Sequence, residues 1–195
     1  MSYQHSTLIT APVAALISSE AAQRWVRRGD DADDLEDTNL LLASAMSHLD
    51  GIDGILRRAL ITQTWQDTWS AFPTGERLPL ALAPVASIAS ITYVDDSSVE
   101  QTLASSTYRL HKDFSGAFLR LDPESSWPST ADRDDAVQIT YVAGYGDAAA
   151  DVPAEIRLAV QELIEQWDGL SEASTPEVLP AKIMTKLRRF IRPHF

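Results

Sequence analysis

The stretch Asp135-Ala-Val-Gln-Ile-Thr-Tyr-Val-Ala-Gly-Tyr-Gly-Asp147, followed closely by Asp151-Val-Pro-Ala-Glu-Ile-Arg157, sets a strand, a glycine turn and a proline-started helix in direct succession. Val137, Ile139 and Tyr141 alternate with Gln138, Thr140 and Val142, the period of two that sends alternate side chains to opposite faces of a sheet. Gly144 and Gly146 stop the strand, because glycine reverses the chain at little steric cost. Asp151 is then a cap or near-cap acceptor, Pro153 suits a first helical turn, and Glu155 complements the positive helix end. Ile156, Ala159, Val160, Leu163, Ile164 and Trp167 recur at three- and four-residue spacing, which predicts one buried helical face.

Upstream, the periodicity is first helical and then strand-like. Ser18-Ser-Glu-Ala-Ala-Gln-Arg-Trp-Val-Arg27 predicts a short serine-capped helix closed near Gly29. Six of the eight residues from Asp30 to Asp37 are acidic, at the start of a second helix expected from about Asp33 to Leu60. Leu35, Leu41, Leu42, Ala45, Leu49, Ile52 and Leu56 form its expected buried stripe, with Gly51 and Gly54 as kink points. Residues 61–142 read as β-rich, with strands expected at 61–69, 87–94, 100–103, 108–111, 117–121 and 136–142. Turn chemistry at Pro73-Thr-Gly-Glu, Asp95-Asp-Ser-Ser, Asp113-Phe-Ser-Gly and Asp122-Pro-Glu-Ser separates them. Pro79 and Pro84 confine the piece between them to an edge or an extended connector. After the Pro153 helix, 169–180 reads as a linker. The fold class is therefore α+β: an N-terminal helical pair, a β-rich insertion, a further helix and a C-terminal amphipathic helix, organised as one domain over 1–181 with an arm at 182–195.

Composition bounds the chemistry. The 195 residues contain no cysteine, which excludes disulfides and thiolate metal sites, and 45% hydrophobic content supports a real core. No apolar run approaches the roughly 20 residues of a bilayer span, and Met1-Ser-Tyr-Gln-His-Ser lacks the pattern of a secretory signal, so a cytoplasmic protein without a membrane partner is expected. The net charge is −12, against broad capture of nucleic acid. It is unevenly spread: residues 182–195 hold five basic residues and no acidic one, while residues 1–181 hold the other 11 basic residues and all 28 acidic ones.

No catalytic constellation emerges. His5, His48, His111 and His194 lack a second ligand at a metal-type spacing. Gly144-Tyr-Gly-Asp-Ala-Ala149 fits the dinucleotide fingerprint formally, but the helix starts late and Asp147 sets a negative charge where a pyrophosphate would approach. The acids at 30–37 lack the ordered ligands of a calcium loop. The tryptophans, with Trp65 and Trp69 on one strand face, read as core. No cofactor is expected and the reading is not enzymatic; the alternative is an acidic cytoplasmic enzyme or accessory factor whose site is assembled from dispersed Asp and Glu.

The C-terminal segment Pro180-Ala-Lys-Ile-Met-Thr-Lys-Leu-Arg-Arg-Phe-Ile-Arg-Pro-His-Phe195 places Ile183, Leu187, Phe190 and Ile191 at i, i+4, i+7 and i+8 beside a basic row of Lys182, Lys186 and Arg189. This is an amphipathic docking helix. Its cover is a protein partner, its own acidic body, or a membrane surface or DNA.

Taken together, the 135–157 stretch, Leu60-Ile-Thr-Gln-Thr-Trp65 and Ser125-Ser-Trp-Pro128 resemble the head-to-tail connector (adaptor) proteins of tailed bacteriophages and of phage-derived gene transfer agents, over most of the chain from about residue 15. The resemblance implies a structural protein of the particle neck, forming a dodecameric ring beneath the portal. It implies as partners the portal, neighbouring copies and a tail or stopper component, with DNA passing through the channel without specific binding. By the same resemblance Lys182, Ile183, Lys186, Leu187, Arg188, Arg189, Phe190, Ile191, Arg192 and Phe195 are the portal-docking arm. The sequence departs from the family pattern at Arg57, where relatives often place a glycine before Arg58-Ala-Leu60, and in its unusually basic final segment.

Overall fold

The computed structural model of the chain describes residues 3–26, 31–113, 116–168 and 179–192. In chain order its elements are β1 (Tyr3–Thr10), α1 (Ser19–Val26), α2 (Ala32–Leu49), β2 (Gln63–Trp69), β3 (Arg77–Pro79), β4 (Val85–Val94), β5 (Glu100–Thr102), β6 (Tyr108–Asp113), β7 (Gly116–Leu121), β8 (Val137–Ala143), α3 (Ala154–Asp168) and α4 (Ala181–Leu187). The class is α+β. The chain divides into two compact units, Met1–Val13 with Thr62–Tyr145, and Ala14–Ile61 with Gly146–Phe195.

The first unit is built from two antiparallel sheets. A five-stranded sheet runs in the order β1-β2-β8-β4-β5, and a three-stranded sheet in the order β3-β7-β6. The predicted alternation is what β8 shows: Val137, Ile139, Tyr141 and Ala143 are buried, and the residues between them only half so. β8 lies between β2 and β4, with Trp65 opposite Tyr141 and Ile91 opposite Ile139. Gln63, Trp65, Asp67 and Trp69 share one face of β2 and are all buried, so two tryptophans enclose a carboxylate that the alternation alone does not announce. Pro79 ends β3, an edge strand, as its missing donor requires. The Asp95 turn closes through Ser98 N–H to Asp95 C=O at 2.8 Å, and the Asp122 turn through Ser125 N–H to Asp122 C=O at 2.9 Å. The Asp113 turn has Phe114 and Ser115 outside the described residues.

β1 and β3 have no counterpart among the strands expected from sequence. β1 is almost wholly exposed and carries no two-residue alternation of burial. It is held by pairing with β2, Ser6 opposite Asp67 and Leu8 opposite Trp65.

The second unit packs α1, α2, α3 and α4. Ser18 Oγ accepts from Ala21 N–H at 3.2 Å, the serine cap that the sequence predicts for α1. The closure expected near Gly29 lies outside the described residues, as does most of the expected linker. Asp31 caps α2, accepting from Asp34 N–H at 2.8 Å.

Two expectations for this helix are corrected. It ends at Leu49 rather than near residue 60, because Gly51 adopts φ 81 and Arg57 φ 50, both incompatible with helix, and Asp50 pairs with Arg58 as an isolated bridge. Gly54 is required there by space: a Cβ would lie 2.4 Å from Asp50 O. Its buried positions are Thr38, Ala45 and Leu49, while Leu35 is 38% exposed, so the leucine-rich surface is broader than the face that packs.

On α3 the predicted stripe holds for Ile156, Ala159, Val160, Leu163 and Ile164, which are buried, while Trp167 at its end is half-buried. Asp151 caps not this helix but the short 3₁₀ turn before it, accepting from Ala148 N–H at 3.0 Å.

Candidate functional site

The glycine pair that imitates a nucleotide fingerprint is filled by its own chain. A Cβ on Gly146 would lie 2.3 Å from Asp151 Oδ2, so the glycine makes room for a carboxylate where a phosphate would have to sit. Among the described residues no group of three or more His, Asp or Glu is placed to hold a metal ion. His48 packs edge-on against Trp167 and His111 stacks on Phe118. His194 lies outside the described residues. No described helix is long and apolar enough to cross a membrane.

The C-terminal segment has a definite place in the second unit. Ile183 and Leu187 are 2% and 0% exposed, on the side of α4 that packs against α3. Their burial contributes roughly 1.5–3 kcal/mol each. The basic row meets acids of α3: Lys186 bonds Glu162, Lys182 stands 3.5 Å from the same carboxylate, and Arg189 bonds Glu155. The Lys186 ammonium, with Lys182 beside it, holds the Glu162 carboxyl below the usual glutamate range.

Beyond the helix, Phe190 C=O accepts from Arg58 Nε, and Arg192 N–H donates to Leu56 C=O at 3.3 Å. Phe190 and Ile191 are half-buried, and Arg192 is buried. Of the ten predicted docking residues, Lys182, Arg188 and Arg189 are the exposed ones among the described residues, and Phe195 lies outside them. The fold brings the basic row and the apolar row together as the sequence spacing foresees. It turns Ile183 and Leu187 of the apolar row onto the chain's own helix.

A second surface of this unit escaped the sequence. Leu16, Ile17 and Trp25 on the α1 side and Arg157 and Leu158 on α3 line a groove of about 350 Å³. Arg157 Nε is buried there without a hydrogen-bond partner. Leu158 is 42% exposed. The signal for it is that Arg157 and Leu158 sit one residue off the buried stripe of α3, where a helix wets its surface, yet Arg157 is half-buried and lines the groove with residues of the α1 side.

In the first unit, the β4–β5 hairpin ends in a stiffened tip. Asp95 accepts from the N–H groups of Ser97 and Val99 and from Gln101 Nε2. The Gln101 amide and then the Val99 N–H hold its carboxyl below the usual range. Ser98 is held at φ 62. The tip presents Val99, 51% exposed, beside the exposed Glu100. Trp127 of the Ser125-Ser-Trp-Pro128 motif stacks on Phe72 at 4.9 Å and donates to Gly75 C=O at 2.9 Å.

No protein-family model matches the chain, and no curated protein sequence matches it. Solved structures do. A chain in the neck of an empty gene transfer agent (GTA) particle computed with C6 symmetry is 21% identical, with a TM-score of 0.78 over 98% of this chain and 97% of that one. A chain in the virion of a native GTA particle is 22% identical, with a TM-score of 0.75 over 98% and 97%. A chain in the neck of a native GTA particle computed with C12 symmetry is 23% identical, with a TM-score of 0.67 over 96% and 97%. At these identities the likeness is one of fold, and it runs the length of both chains.

Proposed function

We propose that this chain is a head-to-tail adaptor, a structural component of the neck of a gene transfer agent or phage particle that works by assembly rather than by chemistry. The observation that carries this reading is the end-to-end likeness in fold to chains of GTA neck structures, with nearly all of both chains aligned. In this reading copies form a ring beneath the portal and join it to a tail or stopper component, leaving a channel for DNA. A body whose residues 1–181 carry 28 acids against 11 bases suits a channel past which DNA slides without sticking.

The segment from Lys182 is the portal-docking arm of this proposal. Lys182, Arg188 and Arg189 are exposed and ready to orient the encounter, while Ile183, Leu187, Phe190 and Ile191 supply apolar anchors. Because Ile183 and Leu187 are buried on α3, docking through them is an exchange: α4 gives up Glu162 and Glu155 for equivalent acids and an apolar groove on the portal.

The test mixes the intact protein, and the protein truncated before Lys182, with the portal protein of the same particle, followed by size-exclusion chromatography with light scattering. A large ring complex formed by the intact chain alone supports both the adaptor role and the docking arm. Failure of both folded forms to bind overturns the adaptor reading, and equal binding by both overturns the arm.

A further inference from the structure

We propose that the groove around Arg157 is a subunit–subunit socket, and that its occupant is the β4–β5 hairpin tip of a second copy of this chain, with Val99 entering the groove and Glu100 pairing with Arg157. The inference rests on the reading that copies stand side by side in a neck.

The groove asks for a particular chemistry. Its walls are Leu16, Ile17, Trp25 and Leu158, and its one charged group is a guanidinium whose buried Nε–H has no partner. A buried donor left unpaired costs free energy that an incoming acceptor recovers. Leu158, exposed at the margin, adds apolar area that water covers in the free chain. The matching ligand is an apolar side chain adjacent to a carboxylate, small enough for a groove of about 350 Å³.

The tip has that composition and that shape. Val99 is an exposed aliphatic side chain, and the Glu100 carboxylate next to it makes no side-chain hydrogen bond or ion pair among the described residues. The other acids of the turn are engaged, Asp95 with its own loop and Asp96 with Ser129. The three bonds to Asp95 fix the turn before any partner arrives, so little conformational freedom is lost on docking. A hairpin end is convex and fits a groove between two helices. The competing apolar residue with acids nearby, Leu40 on α2, is 67% exposed on a helix flank, a broad surface that a narrow groove does not admit. Socket and tip are different patches of one chain, so the contact can repeat head to tail from copy to copy, and such a repeat forms a ring where its rotation closes.

The absence of cysteine makes the test direct. Val99→Cys and Leu158→Cys are made in separate chains, mixed with and without the portal protein, and oxidised. Leu40→Cys with Leu158→Cys serves as comparison, and light scattering on the unmodified protein reports the ring separately. The expected result is a disulfide-linked dimer of the Val99→Cys and Leu158→Cys chains, absent when either is oxidised alone. Absence of that dimer in both preparations overturns the socket whether or not a ring forms, as does preferential linkage through Leu40→Cys. In the second arm, Arg157→Glu weakens self-association at least about tenfold and Glu100→Arg in the same chain restores it. No rescue, with both variants folded by circular dichroism, overturns the pairing.

Discussion

The hydroxyl of Tyr141 donates to Asp67 Oδ1 at 3.0 Å inside the first unit, where both residues are 0% exposed. Ser6 Oγ donates to the same oxygen, Ala81 N–H donates to Oδ2 at 2.8 Å, and the Tyr141 oxygen in turn accepts from Leu82 N–H at 3.3 Å. One carboxylate thereby ties β1 and β8 to β2, on which it sits, and anchors the connector after β3. Asp67→Ala strands three buried or half-buried donors and is expected to cost about 3 kcal/mol or more, whereas Tyr141→Phe costs about 1 kcal/mol. Urea unfolding followed by circular dichroism measures both; equal costs would refute the network.

The same pair predicts a titration. Burial first, and then the Asp67 carboxylate, push the Tyr141 hydroxyl well above the ordinary tyrosine range. The fold therefore favours the protonated ring: this contribution to stability is complete below the ordinary value near 10 and is lost as pH climbs toward the raised one. Of the five tyrosines, Tyr141 is expected to ionise last and together with unfolding. Absorbance at alkaline pH, compared between the wild type and Tyr141→Phe, checks this.

Glu162 works in the opposite sense. Its carboxyl is held low by Lys186, so the ion-pair contribution to the grip of α4 on α3 is complete above the ordinary glutamate value and fades as pH falls through the depressed one. Glu162→Gln is expected to loosen α4 at neutral pH and to remove that acid sensitivity. Amide exchange over Ala181–Leu187, read against exchange in α2, reports it.

Three glycines form a graded series. Gly75→Ala meets nothing within 4 Å and is expected to be neutral. Gly146→Ala meets the Asp151 side chain and costs about 1–3 kcal/mol. Asp151→Ala does not relieve it, since Asp151 Cβ itself would lie 2.6 Å away, whereas Asp151→Gly does. Gly54→Ala meets backbone of Leu49 and Asp50 and is the most damaging. Thermal denaturation ranks the five variants, the two Asp151 changes being made in the Gly146→Ala chain.

Arg57 offers a backbone test. It is held at φ 50, a left-handed conformation that costs a residue with a Cβ about 1–2 kcal/mol. Arg57→Gly is therefore expected to be more stable than Arg57→Ala by about 1 kcal/mol, since both lose the same side-chain interactions and only one is relieved of strain. Chemical denaturation of the two variants decides it.

What was legible in the sequence followed the strength of its local signals. β8 and α3 pair a clean period with turn and cap residues, and both stand where those signals put them. β1 escaped because its side chains are exposed on both faces and only its pairing with β2 makes it a strand. The end of α2 was misread because apolar residues continue past Leu49, so that Gly51 read as a kink where its left-handed backbone, followed by that of Arg57, is a stop. The basic and apolar rows of the final helix were legible as rows. Which surface covers them depends on α3, far off in the chain, and spacing carries no such information. The Arg157 groove was invisible for the same reason: its two sides come from residues 16–25 and 154–161.

The interleaving of the two units governs the order in which the chain can mature during synthesis. β1 leaves the ribosome before the helices and has no strand to pair with until β2 follows, more than fifty residues later. α1 and α2 emerge next, and the helix against which both pack, α3, is made only after the whole β-rich segment. A nascent chain stopped anywhere before Ala154 therefore holds an incomplete helical core. Its finished form waits further on α4, which is made after α3 and closes over it.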